Sequence, residues 1–135
     1  MEQKMQALWD YVFGVLYNEK THLVYEHRTN FEKDGAFVDL PSPELIQLQI
    51  PNPCGWGTGM EDSATTSGIL LDAILNRYAV TGEPEMKEYA RNIALGAKLC
   101  AEVSGKRGFL ARSVSPADGK RYYINTSRDL YTHVI

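Results

Sequence analysis

Three carboxylic acids stand where the sequence predicts that helices begin. Glu61 and Asp62 open a long apolar stretch, and Asp129 follows a polar "NTS" segment near the end of the chain. Paired carboxyl groups at such positions could hold and transfer protons on a bound substrate. The same acids suit a structural role, because acids in the first turn of a helix interact favourably with its dipole and can cap free amides. The sequence leaves both roles open for all three.

Residues near these acids could contact a ligand. Arg128 precedes Asp129, so an Arg–Asp link to a neighbouring loop is a third reading of that acid. His133 lies four positions after Asp129, and the two could share one helix face. Trp56, flanked by glycines in "GWGTG", is either an exposed stacking platform or a plug that packs the loop onto the fold. Three tyrosines offer further aromatic surface: Tyr122, Tyr123 and Tyr131.

Neither a metal site nor a cofactor site is predicted. His22 and His27 stand five positions apart in a loop, and Cys54 and Cys100 have no partner at zinc-ligand spacing. The glycines of "GWGTG" follow no strand and lack the Lys-Ser/Thr pair and the GxGxxG spacing of nucleotide loops. We expect Cys100 to be a small core residue.

Composition excludes several classes of protein. The chain has 135 residues, 44% of them hydrophobic and 23% charged, which is typical of one globular domain. A net charge of −3 with scattered basic residues argues against a nucleic-acid partner. No apolar run approaches the ~20 residues that span a bilayer. The N-terminal "MEQKMQALWD" lacks the apolar core of a signal peptide, so we expect no membrane association and a cytoplasmic location for the chain as written.

Four helices are predicted. Apolar residues at helical spacing indicate a helix over Glu2–Tyr17, and the next should run over Glu61–Val80 and stop at Thr81-Gly82. A third begins at Pro84 and ends at Ser104, and a fourth begins near Ser127. The connection over residues 18–60 is long, and we expect short extended pieces at Leu23–Glu26 and Leu45–Ile50.

The helices alternate in character. The predicted Glu61–Val80 helix is apolar nearly all round, which predicts burial nearly all round, whereas the Pro84–Ser104 helix is apolar on one side. Alternating buried and half-buried helices are what a double-layered helical toroid needs. The sequence therefore predicts an all-α fold, an incomplete (α/α) toroid forming one partial domain over residues 1–135. Both acid-bearing helix starts would lie at the same end of the ring.

Three segments carry a resemblance to a known family. The stretch "NPCGWGTGMEDSATTSGILLDAILNRYAVTGEPE", followed by "GFLARSVSPADGK" and "SRDLYT", resembles the first hairpins of bacterial six-hairpin glycosidase-like proteins. The resemblance covers roughly residues 51–135. It implies an (α/α)6 toroid fold and activity on carbohydrates, and it corresponds to the N-terminal portion of proteins several times longer.

The resemblance implies a division of roles among the candidate residues. Glycoside hydrolysis needs one protonated carboxyl group and a second that acts on water or on the sugar. Asp62, Asp129 and Glu61 are the candidates for these roles, with lyase chemistry as the less favoured alternative. The residues that would contact the carbohydrate are Trp56, Arg128, Tyr131 and His133.

A non-catalytic reading stands beside this one. A third of a toroid leaves inner helix faces uncovered, and exposed apolar faces favour association. The chain would then be a helical module that binds sugar or a partner. In either case we expect homo-oligomers formed through exposed helix faces.

Overall fold

The computed structural model describes residues 2–25 and 40–134, apart from the side chain of Glu2. Helix α1 (Glu2–Tyr11) continues into a π-helical segment (Val12–Leu16), and strands β1 (Tyr17–Asn18) and β2 (Leu23–Val24) form a small antiparallel hairpin. Helices α2 (Pro43–Gln47), α3 (Ser63–Thr81), α4 (Glu85–Glu102) and α5 (Arg128–Val134) follow. The described part of the chain is mostly helical, as predicted.

The predicted helices are confirmed within a few residues at each end. Helix α3 ends where expected, because Gly82 takes the left-handed conformation and its amide donates to Tyr78. The extended piece predicted at residues 45–50 is wrong: Ser42 caps a short helix there, with Pro43 in its first turn. The extended piece at residues 23–26 is found as β2, and Glu26 lies outside the described residues, as do His27 and the rest of the loop to residue 39.

Helices α3 and α4 form an antiparallel hairpin closed by the short turn around Gly82. Helix α5 packs on α3, and a Cβ added at Gly68 would lie 2.0 Å from the carbonyl oxygen of His133. Gly68 is the sixth residue of α3 and His133 the sixth of α5. Because the charges at the two helix starts also interact, α3 and α5 run side by side in the same direction.

Burial of α3 differs from the prediction. Its buried residues are Ser63, Ala64, Ser67 and Ile74. Ile69, Leu75 and Val80 are exposed, Val80 at 87%. Apolar periodicity reports the composition of a helix surface, whereas burial depends on neighbouring elements. The expectation that α3 is buried nearly all round is therefore wrong for this chain.

Two apolar clusters form the core. One joins α2, α5, the start of α3 and the segment 110–114, and it includes Cys100, which is buried as predicted and whose thiol pKa is raised by burial to about 12. The other joins α1, α3 and α4 around Ile74, Met86 and Ile93. In residues 2–25 and 40–134, no helix is long and apolar enough to cross a membrane.

Candidate functional site

A buried segment crosses the start of α3. Residues 110–115 are all buried, and the carbonyl of Arg112 accepts a hydrogen bond from the Ala64 amide at 2.9 Å. The Ser113 and Ser63 hydroxyls lie 2.8 Å apart. The free amide of the first turn of α3 is thus satisfied by a neighbouring chain segment rather than by an acidic cap. The segment therefore holds the start of α3 in place.

Asp62 does not cap α3 through its side chain. It occupies the N-cap position, but no side-chain cap hydrogen bond forms. Its Oδ1 instead accepts from Arg112 Nη1 at 2.9 Å, and the same nitrogen donates to the Glu61 carbonyl at 3.0 Å. Arg112 is 6% exposed, whereas the Asp62 side chain is 40% exposed. The capping role, one of the two considered for Asp62, is therefore wrong. Its carboxylate lies at the surface and is held there by the buried guanidinium of Arg112.

Glu61 stabilises the preceding loop. The prediction that Glu61 lies in the first turn of the helix is wrong, because α3 begins at Ser63. Its Oε1 accepts hydrogen bonds from the amides of Gly57 and Thr58. This closes the glycine-rich loop onto the start of α3. With both contacts made by one carboxylate oxygen, Glu61 acts as a brace for the loop.

The loop presents Trp56 to solvent. The side chain of Asn52 forms hydrogen bonds with both the backbone amide and the backbone carbonyl of Trp56. Trp56 itself is 60% exposed. The plug reading does not fit this exposure. Gly55 takes a φ of +72°, and a Cβ there would lie 2.4 Å from the ring of Tyr123, so the loop requires glycine at this position.

Asp129 lies in the first turn of α5 and is exposed. The nearby Ser127 side chain lowers the pKa of Asp129, and the backbone amides of Asp129 and Leu130 and the charge of Arg112 lower it further, against some desolvation. Its place in the first turn of α5 suits the helix dipole. The charge of Asp129 in turn acts on Asp62, so the two carboxyl groups share one end of the molecule.

The pKa of Asp62 moves in the opposite direction. Partial burial raises it, the negative charges of Asp129 and Glu61 add to that effect, and the charge and hydrogen bond of Arg112 oppose it. The net result is a pKa above the usual range of an aspartate. Two neighbouring carboxyl groups whose environments separate their pKa values can serve as an acid and a base.

The remaining predicted contact residues occupy varied places. The Tyr131 hydroxyl donates to the Gly108 carbonyl at 2.9 Å and accepts from the Leu110 amide, so it fastens a loop to α5. Arg128 is exposed at the start of α5, while His133 is exposed one turn after Asp129 and its backbone packs against Gly68. Tyr123 is buried and donates to the Ile50 carbonyl at 2.6 Å.

Sequence reasoning missed Arg112. It lies in an irregular segment with no periodicity, and its partner is fifty positions away. The available signal was weak: an arginine between apolar residues in "FLARSV". Among the described residues, no group of three or more His, Cys, Asp or Glu side chains could hold a metal ion.

Comparison with protein-family models, with curated proteins and with solved structures gives no match.

Proposed function

We propose that this chain belongs to a carbohydrate-active protein of the six-hairpin glycosidase-like type, and that it supplies the acidic end of the sugar cleft. The observation that carries this proposal is the position of Asp62 and Asp129 at the starts of two neighbouring helices, with their pKa values displaced in opposite directions. In the complete toroid, α3 and α5 would be inner helices and α4 an outer one. The exposed indole of Trp56 would stack on a sugar ring at the same end.

The two acids would divide the chemistry between them. Asp62, with its raised pKa, donates its proton to the glycosidic oxygen as the bond to the anomeric carbon breaks. Asp129, held ionised, acts on water or directly on the sugar to complete the substitution. Arg112 positions Asp62, and after the proton has left it stabilises the resulting carboxylate. Glu61 contributes indirectly by holding the loop that carries Trp56.

Two classes of substrate separate these roles. A 4-nitrophenyl glycoside has a leaving group that departs without protonation, whereas a disaccharide needs the proton. In the complete toroid, assayed over a panel of both, we expect Asp129→Asn to lose activity on each class by about a hundredfold or more. Asp62→Asn should lose a similar factor in hydrolytic rate on disaccharides, but a much smaller factor on aryl glycosides.

The matched control is Asp72→Asn, which alters an exposed acid in the middle of α3. Wild-type rates in both the Asp62 and Asp129 variants would remove these residues from the mechanism. A complete toroid built on this chain that neither hydrolyses nor saturably binds any glycoside of the panel would contradict the proposal.

A second candidate rests on the exposed face of α3. Ile69, Ala73 and Val80 lie along one stripe of this helix and are exposed. On α1, Met5 and Leu8 are exposed at 67% and 64%. Apolar surface of this kind marks interaction sites. The alternative function is a non-catalytic helical module that associates with a second copy through these faces.

A further inference from the structure

A cavity between the β-hairpin and the start of α4 combines aromatic walls with negative charge. It has a volume of about 500 Å³, within the range of small-molecule sites. It lies where the π-helical segment and the hairpin meet the first two turns of α4. Phe13, Tyr17 and Tyr89 provide rings, and Glu19, Glu85 and Glu88 provide carboxylates. Of the described residues that line it, none is Lys or Arg.

The aromatic wall is continuous. The ring centroids of Phe13 and Tyr89 lie 4.2 Å apart, and those of Phe13 and Tyr17 lie 5.7 Å apart. Trp9 extends the same cluster, with its ring centroid 4.9 Å from that of Phe13. The guanidinium of Arg77 already stacks over Trp9 at 4.7 Å. One end of this aromatic cluster therefore binds a cation of the chain itself, and the other end faces the cavity.

His22, which also lines the cavity, holds the wall in place. The Tyr17 hydroxyl lies 2.6 Å from His22 Nδ1, and His22 has a left-handed backbone with a φ of +57°. The His22 carbonyl presses on α4, where a Cβ at Gly96 would lie 2.2 Å from it. The hairpin turn is thus seated on α4 by close backbone contact. A ligand would meet a preorganised surface.

The carboxylates give the cavity a negative potential. Burial raises the pKa of Tyr17, and the charges of Glu19 and Glu88 raise it further. Glu85 and Glu88 lie in the first turn of α4, where they interact favourably with the helix dipole. That effect does not account for Glu19, which comes from the hairpin and carries its charge to the same cavity.

We propose that this cavity binds a small organic cation, a substituted or quaternary ammonium compound. Cations over aromatic faces are attracted by the ring quadrupole, and nearby carboxylates supply the counter-charge. The acids do not meet the arrangement needed by a metal ion in the described part of the chain. The cavity shares no lining residue with the acids and the tryptophan of the proposed glycoside chemistry, so this inference does not rest on that proposal.

The test uses choline and its neutral isostere, 3,3-dimethyl-1-butanol, in a titration followed by amide chemical shifts in two-dimensional NMR. We expect saturable binding of choline, with chemical-shift changes at Tyr17, His22 and Tyr89. The neutral alcohol should bind at least about tenfold more weakly than choline. Added salt should weaken the choline complex, because the carboxylates are exposed.

Two sets of variants locate the effect. The double substitution Glu85→Gln with Glu88→Gln should weaken choline binding by about fivefold, while Glu102→Gln at the other end of α4 leaves it unchanged. Tyr17→Phe keeps the ring but loses the hydroxyl contact with His22, so it should retain most of the binding, whereas Tyr17→Leu should lose it. Equal affinity for the neutral alcohol, shifts elsewhere in the chain, or full binding by the double variant would overturn the proposal, as would the absence of saturable binding.

Discussion

Arg112 Nη1 lies 2.9 Å from Asp62 Oδ1, and this contact joins a buried loop to the start of α3. The same guanidinium reaches the Glu61 carbonyl, so one side chain fixes two consecutive residues. A charge-assisted hydrogen bond from a buried arginine is stronger than a neutral one and orients its acceptor. Arg112 therefore determines both the position of Asp62 and part of its protonation behaviour.

Replacing Arg112 with leucine should destabilise the fold. The change leaves the Glu61 carbonyl and the Asp62 carboxylate without this donor, and we expect the free energy of unfolding to fall by about 1–3 kcal/mol. The pKa of Asp62 should rise further, because Arg112 opposes the effect of burial. Urea unfolding measures the first effect. Arg91→Leu, at an exposed position of α4, is the control, and equal stability of the two variants would contradict the assigned role.

Close packing of α3 on α5 can be tested at Gly68. Gly68→Ala places a Cβ against the His133 carbonyl, and we expect a loss of about 1–3 kcal/mol as the helices move apart. Gly14→Ala in the π-helical segment meets nothing within 4 Å and should be neutral or stabilising. Thermal unfolding of the two variants gives the comparison. A Gly68→Ala chain as stable as Gly14→Ala would mean that α5 does not pack on α3 in this way.

The exposed stripe on α3 predicts self-association. We expect analytical ultracentrifugation to detect dimers or larger species at micromolar concentration. Ile69→Asn combined with Val80→Asn should shift the chain toward monomer, because both side chains are exposed along one stripe. The control is Leu48→Asn, which changes an apolar residue of similar exposure after α2. A wild-type chain that stays monomeric would count against the second candidate function.

Stability should depend on pH with opposite signs at two aspartates. The pKa of Asp62 is higher in the folded chain than in the unfolded chain, so the folded chain binds this proton more tightly. The contribution of Asp62 to stability is therefore present below the ordinary pKa of an aspartate and is lost as pH rises through the raised pKa. Burial of Asp118 raises its pKa, but hydrogen bonds from Arg121 and Lys120 outweigh this and lower it. The Asp118 contribution is therefore present above the ordinary pKa and lost as pH falls through the lowered one.

The measurement is the stability difference between the wild type and each asparagine variant between about pH 3 and pH 6. As pH rises, the free energy of unfolding of Asp62→Asn should increase relative to that of the wild type. That of Asp118→Asn should decrease relative to the wild type over the same range. Each change should stay at or below about 1 kcal/mol, since both side chains are partly exposed. Parallel trends in the two variants would show that the assigned environments are incorrect.

Much of the fold could be predicted because its signals are local. Helix α4 shows a one-sided apolar stripe, and α3 ends at a glycine in the left-handed conformation. Helix α2 could also have been found, since Ser42 followed by Pro43 is a regular helix start. The prediction of an extended piece at Leu45–Ile50 missed this helix start.

The candidate site depended on contacts that no local pattern contains. The positions of Asp62 and Asp129 at helix starts are visible in the sequence. Asp62 does not cap α3, because the Ala64 amide that it would cap donates its hydrogen bond to the carbonyl of Arg112. The exposure of Ile69 and Val80 likewise depends on which neighbours surround α3. Periodicity cannot report either fact, since both are set by residues distant in the chain.

The most direct test of the account is a titration of the carboxyl groups of Asp62 and Asp129, followed by carbon-13 NMR in the folded chain. The proposed division into acid and base requires Asp62 to lose its proton above the usual range of an aspartate and Asp129 below it. Asp129→Asn should bring the Asp62 midpoint down, because a neighbouring negative charge is removed. Identical midpoints, or Asp129 titrating above Asp62, would contradict the central claim.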